Sequence, residues 1–324
     1  MKALQIEKFG GPEAMQIVDV PVPEPRAGRV RVKVEAVGLN YSDIMIREGF
    51  YIDNVPLPYV MGREFCGRID ALGPEVSGLK AGQRVIASSP GGAMAEYIVV
   101  AAGSLLPCPE ELTTAEGAAI LIAGITAVHC LQDCARLKPG ETVLIHAAAG
   151  GVGTLAVQIA NAMGAKVIGT ASRAEKCRFV SDLGALAIDY TQGDWVKEVL
   201  SATGGRGADV ILESVGGEIF TRSFREALAI FGRMVVYGMA GRELATIENR
   251  NILESNRTLT GYYLGAFIPK YLDHVASGAN RLVNFIREGA VKPVIGKTFP
   301  LAEAVDAFNH MQQRKNVGKV IITP

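Results

Sequence analysis

The chain has 324 residues, 49% of them hydrophobic and 20% charged, and its 33 Lys plus Arg equal its 33 Asp plus Glu. That length can hold a large core and two domains, and the even charge balance leaves no basic footprint for nucleic acid or an anionic membrane. The longest apolar runs, such as 117–128, contain Gly and Thr and read as too short to span a bilayer. The start, Met1 to Glu7, reads as a first strand and not as a leader peptide. Residues 1–110 are strand-rich. Strands are expected over 3–9 and 16–20, with a turn at Gly10-Gly11-Pro12 and a rigid connection over 21–25. Residues 29–35 alternate, with Val30, Val32 and Val34 on one face, as in a half-buried strand. Segments 62–72, 84–87 and 98–100 continue the pattern between Gly- and Pro-bearing turns, which fits a partly open antiparallel barrel.

From Thr113 the pattern changes. A helix is expected from 114 to about 137, stopped by Pro139-Gly140. Strands at 141–146, 165–171, 187–189, 210–213 and 233–237 then alternate with helices at 151–163, 175–183, 194–202 and 219–228. This is the signature of an α/β fold with a doubly wound parallel sheet and right-handed crossovers. The segment 258–263 would extend the sheet. Beyond 266 the chain reads as helical until a last strand at 318–322, which is expected to rejoin the first domain. The expected division is 1–120 with 267–324, and 121–266.

The glycines of this second part sit between a strand and a helix, the context that gives them meaning. Read as A-x-G-x-x-G, the stretch from His146 to Gly153 uses Ala148, Gly150 and Gly153. Ala148 is expected at the tight turn. Gly150 would let the backbone approach a pyrophosphate, and Gly153 would let the helix pack on the strand. Phosphates would then meet the backbone of Ala149, Gly150, Gly151, Val152 and Gly153 at the positive end of the helix dipole. The plainer alternative is a Gly-rich β–α turn with no ligand. The next strand bears on cofactor type. Where an NAD site carries Asp or Glu, this chain has Ser172, then Arg173 and Lys176. A hydroxyl and two cations suit a 2′-phosphate, so NADPH is expected over NADH.

Five scattered cysteines, Cys66, Cys108, Cys130, Cys134 and Cys177, suggest a reducing, cytoplasmic setting. His129 beside Cys130 and Cys134 could be half a metal site, but no second half follows, and the four histidines show no ligand spacing. No metal is expected.

The segments Gly38-Leu-Asn-Tyr-Ser-Asp43, Gly62-Arg-Glu-Phe-Cys-Gly67, Lys80-Ala-Gly-Gln-Arg-Val85, Gly124-Ile-Thr126, the stretch from His146 to Gly153 and Asn316-Val-Gly-Lys-Val320 match a known pattern end to end. The chain resembles the zinc-free medium-chain dehydrogenase/reductases of the quinone oxidoreductase (zeta-crystallin-like) type. The resemblance implies a GroES-like catalytic domain beside a Rossmann domain. Zinc-dependent relatives carry Cys in the segment matching 38–43 and His before the glutamate matching Glu64. Here Asn40 and Arg63 stand there, and no cysteine-rich zinc loop lies between 91 and 109.

The same resemblance implies roles. Asn40 and Tyr41 would line the nicotinamide end, and Tyr51 would help protonate or polarise the acceptor, unless it merely covers the site. Asp43 is expected to be structural. Thr126 would reach the nicotinamide ribose or phosphate, and Tyr190 would flank the adenosine near Lys176. Ser214, Val215, Tyr237, Gly238, Leu264 and Asn316 would touch the cofactor. Tyr41, Met45, Tyr51, Tyr59 and Phe267 would form a mostly apolar, aromatic wall for a small, flat electron acceptor. Hydride from NADPH would reach a quinone or a related α,β-unsaturated carbonyl. The alternatives are an enoyl thioester reductase and, in another class, a non-catalytic NADPH-binding redox sensor or RNA-binding protein. A homodimer paired through a sheet edge at 258–263 is also expected.

Overall fold

Val30, Val32 and Val34 are buried along the strand Arg29–Leu39, as their alternation requires. This strand organises the first of two units, Met1–Ile122 with Pro293–Pro324; the second is Ala123–Lys292. The computed structural model describes every residue except Pro269. In the first unit a sheet runs in the order Ile295–Pro300, Lys319–Thr323, Arg29–Leu39, Glu64–Leu72, Arg84–Ser88, Leu106–Pro107. Tyr97–Ala101 also pairs with Arg29–Leu39. A smaller sheet joins Met15–Asp19, Lys2–Ile6 and Tyr59–Val60. Phe65, Ile69, Phe308 and Ile322 fill the core beneath the valines. The helix Tyr41–Arg47 and the strand Ile295–Pro300 are absent from the sequence expectation. Both are short, and Gly296, Lys297 and Thr298 give the strand no apolar alternation.

The second unit is a six-stranded parallel sheet in the order Leu186–Asp189, Lys166–Ala171, Thr142–Ile145, Ala208–Glu213, Leu228–Val236, Thr258–Gly261. Chain order reverses between Thr142–Ile145 and Ala208–Glu213. That is the switch point at which doubly wound sheets bind ligands, outside the C-terminal ends of the strands.

The later domain boundary differs from the expected one. Residues 267–292 belong to the second unit, not the first. The helix Leu272–Arg287 holds them there: Leu282 occupies the space a side chain at Gly124 would need, and Arg281 clasps Asp133 through both carboxylate oxygens, at 2.8 and 2.7 Å. The reading of apolar length is corrected too. Thr114–Val128 continues through a π-helical turn, His129–Cys134, and the 21 residues are long and apolar enough to cross a bilayer. Most of that stretch is buried within the fold, as in a core helix.

Candidate active-site residues

In the second unit the strand Thr142–Ile145 turns into the helix Gly151–Ala162 through the fingerprint. Gly150 caps that helix with extended backbone and no side-chain hydrogen bond, so the first-turn N–H groups are open to an anion. A Cβ on Gly153 would lie 2.3 Å from the Ala147 carbonyl oxygen and 2.7 Å from the Ala148 Cα, so the helix can sit this close only on glycine. A Cβ on Gly150 would meet only the Ala147 oxygen, at 3.1 Å. The tight turn falls one residue earlier than expected. Ala147, at φ 51°, takes the left-handed conformation, whereas Ala148 is buried with its methyl against Gly169.

The neighbouring segments gather at the same strand ends. The His146 N–H donates to Leu212 O at 3.1 Å, tying the fingerprint to the strand Ala208–Glu213. Glu213 is buried, and its carboxylate accepts from the backbone N–H groups of Val215 (2.6 Å) and Gly216 (2.9 Å), shaping the turn that holds Ser214 and Val215. Ala240 and Gly241 donate to the carbonyls of Ser214 and Val215, which lays Tyr237 and Gly238 over that turn. The Tyr237 phenol bonds to Ser214, and burial holds its pKa above the usual tyrosine range. Tyr190 donates its N–H to Ala171 O at 3.2 Å, one residue from Ser172. Arg173 is exposed at φ 70°, and Lys176 is half-buried one turn into the helix Ala174–Asp182. His146 is a core residue: its ring bonds Thr170 (3.0 Å) and Ser223 (2.8 Å), packs edge-on to Trp195, and burial lowers its pKa to about 3.

Thr126 is buried, with its hydroxyl engaged by the Tyr262 phenol. Leu264 is buried at the start of a short helix, Leu264–Phe267. Phe267 joins an aromatic group with His129, Tyr262, Tyr271 and His274. Burial lowers the His129 pKa to about 4.

The first unit holds a side-chain network. The Asn40 amide donates to Glu64 (3.0 Å) and Gly38 O (3.2 Å), while its oxygen accepts from Lys319 Nζ at 2.6 Å. Lys319 also pairs with Glu64, and both are buried. The second Glu64 oxygen accepts from the Ile122 N–H at 2.8 Å. Asp43 is fully buried and accepts from the Asn40 N–H at 2.8 Å, capping the helix Tyr41–Arg47; burial raises its pKa to about 6. Tyr51 is half-buried, and its phenol oxygen accepts from Arg63 at 2.6 Å, with the guanidinium 5.0 Å from its ring centre. Tyr41 packs partly buried against the core, and Asn316 donates to Gly318 O at 3.3 Å.

Two expected wall residues lie behind the surface instead. Met45 is buried in its helix, and Tyr59 is buried with its hydroxyl donated to Pro90 O at 2.6 Å. Their helix and strand were not expected, so their direction could not be read. Arg63, Glu64 and Lys319 were missed as partners. All three lie in motif segments, but a pairing across 255 residues leaves no local signal.

The zinc-binding dehydrogenase family matches residues 151–312, and the alcohol dehydrogenase GroES-like domain matches residues 26–110. A quinone oxidoreductase of Pseudomonas aeruginosa is 34% identical over 330 residues, covering 100% of this chain and 99% of that one. The chain belongs to the medium-chain dehydrogenase/reductase family. Within this family it is a quinone oxidoreductase-like, NAD(P)-dependent oxidoreductase. The Escherichia coli quinone oxidoreductase, solved in complex with NADPH, superposes with a TM-score of 0.94 at 30% identity over 100% of both chains. The CurK enoyl reductase superposes with a TM-score of 0.89 at 30% identity, over 99% of this chain and 98% of that one. The uncapped helix and the close Gly153 contact fit the family's dinucleotide.

Proposed function

We propose that the chain uses NADPH to reduce quinones or related flat α,β-unsaturated carbonyls without a catalytic metal. The observation that carries this is the Arg63–Tyr51 pair. Where a zinc-dependent relative places an imidazole ligand, this chain places a guanidinium bonded to a phenol. A cation in that position opposes a second cation, and Asn40 is already held by Glu64 and Lys319, so the donor set does not suit zinc. When bound, NADPH supplies the hydride. Tyr51 would offer its phenol proton to the acceptor oxygen as negative charge develops there, and Arg63 would orient the phenol and stabilise that charge. Ser172 and Arg173 follow the strand end directly, with no carboxylate at that position, and with Lys176 they support the choice of NADPH.

The test follows reduced-nicotinamide absorbance with EDTA-treated protein, NADPH or NADH, and a panel of quinones, enones and enoyl thioesters. The expected result is consumption of NADPH with quinones, surviving the chelator. Tyr51→Phe and Arg63→Met should each lower kcat by about 10²-fold with little change in NADPH affinity. Loss of activity on chelation, or full activity in both variants, overturns the reading. The enoyl thioester alternative draws on the likeness to CurK enoyl reductase; a thioester preference in the panel would select it.

A homodimer and a cytoplasmic setting are part of the same proposal. Thr258–Gly261 is an edge strand, Ile230 and Phe231 are exposed on the strand beside it, and all five cysteines are free. A monomer mass in light scattering at every concentration would remove the dimer.

A further inference from the structure

The π-helical turn His129–Cys134 places His129 and Asp133 on one face, and the helix Leu272–Arg287 brings His274 to the same place. The ligand atoms of the three residues lie within 4.8 Å of one another. His274 Nε2 is 3.3 Å from Asp133 Oδ2, and His129 Nε2 is 3.8 Å from it. Around an ion with bonds of about 2.0–2.2 Å, ligand atoms stand about 3.0–3.6 Å apart. Both distances to Asp133 Oδ2 lie within a few tenths of an ångström of that range, and the two imidazoles close on an ion from a separation of no more than 4.8 Å.

A second observation is independent of that clustering. His129 is fully buried, and among the described residues no group meets its Nε2 with full hydrogen-bond geometry, although the His274 backbone interacts with the ring. Leaving such an atom unpaired costs about 1–3 kcal/mol. Its other ring nitrogen is 2.8 Å from the Tyr262 hydroxyl. With Nδ1–H donating to that phenol, the Nε2 lone pair is left facing Asp133 and His274. A histidine ligand characteristically has its far nitrogen fixed in this way. Arg281 bonds both Asp133 oxygens, which fixes the carboxylate and still leaves a lone pair on Oδ2. His274 is partly exposed, beside a surface depression lined by Lys270, Tyr271, Leu272 and Asp273, so an ion has a way in.

We propose that His129, Asp133 and His274 form a binding site for a divalent first-row transition ion of the zinc class. Two imidazoles and one carboxylate favour such an ion over Mg²⁺ or Ca²⁺. Three protein ligands leave at least one position for water. Its ligands are other residues than Asn40 and Arg63, which match the family's zinc ligands, and it does not depend on the reductase reading.

Cobalt(II) titration of the metal-stripped full chain, without cofactor or acceptor, tests it. The expected result is a visible ligand-field band saturating at one equivalent and displaced by Zn²⁺. His274→Ala, at a partly exposed position, should abolish the band while circular dichroism stays unchanged. Tyr262→Phe, which removes the orienting bond together with the phenol's bond to Thr126, should weaken binding by about 10- to 100-fold. No band at one equivalent in the unaltered chain, or equal binding by His274→Ala, overturns the proposal.

Discussion

The two units build their candidate sites from opposite materials. In the second unit the site is backbone. Gly150 and Gly153 contribute by having no side chain, and the uncapped helix start offers N–H groups. In the first unit the site is side chain. Asp43, Glu64 and Lys319 are buried and joined through half-buried Asn40, and Arg63 is fixed on Tyr51. A backbone site needs space and is damaged by added atoms. A network of buried charges needs every partner and is damaged by their removal.

The largest effect expected from this contrast is on Lys319. Lys319→Met leaves Glu64 buried beside Asn40 with no cation, and should lower stability by about 3–5 kcal/mol. Combining it with Glu64→Gln should restore a large part of that loss. Denaturant unfolding of the single and double variants measures the difference, and additive losses would show that the two residues do not act as a pair.

Asp43 comes next. Its folded pKa of about 6 lies above the 3.8 of a free aspartate, so between those values the folded chain holds a proton that the unfolded chain releases. Its contribution to stability is therefore full at low pH and declines as pH rises through 6, by about 3 kcal/mol in all. Asp43→Asn can still accept from the Asn40 N–H but cannot ionise. The variant should gain on the natural chain between pH 4 and pH 7, and parallel melting curves over that range would contradict this.

The smallest stability effects belong to the glycines. Gly153→Ala puts a methyl against the Ala147 backbone and should lower stability by about 1–3 kcal/mol while disrupting cofactor binding. Gly150→Ala meets less resistance. It should leave the melting temperature nearly unchanged and weaken NADPH binding, read by fluorescence titration. If both variants melted normally and bound normally, the loop would be a plain strand-to-helix turn.

The legibility of each unit follows from the same difference. The glycine spacing, the flanking strand and helix, and the Ser172-Arg173 pair are local, and the parallel sheet follows from the alternation of its segments. The shift of the tight turn from Ala148 to Ala147 was not legible, because either residue carries the same methyl. Nothing local shows which way a two-residue strand or a seven-residue helix faces, so the burial of Tyr59 and Met45 is not legible in the sequence. Along the sequence His129 stands beside Cys130 and Cys134 alone, half of a site with no second half. His274 lies in another helix and Asp133 is neither Cys nor His, so a pattern of Cys and His spacing contains neither.

By itself, the sequence determined the fold class and the glycine-bearing strand-to-helix turn, since each is written in residue type at short spacing. Tertiary structure alone decided that Lys319 neutralises Glu64, that Arg63 holds Tyr51, that 267–292 stays with the second unit, and that His129 meets His274. Those outcomes depend on which distant side chains share a space that excludes water. Burial makes a partner obligatory but does not encode its address along the chain.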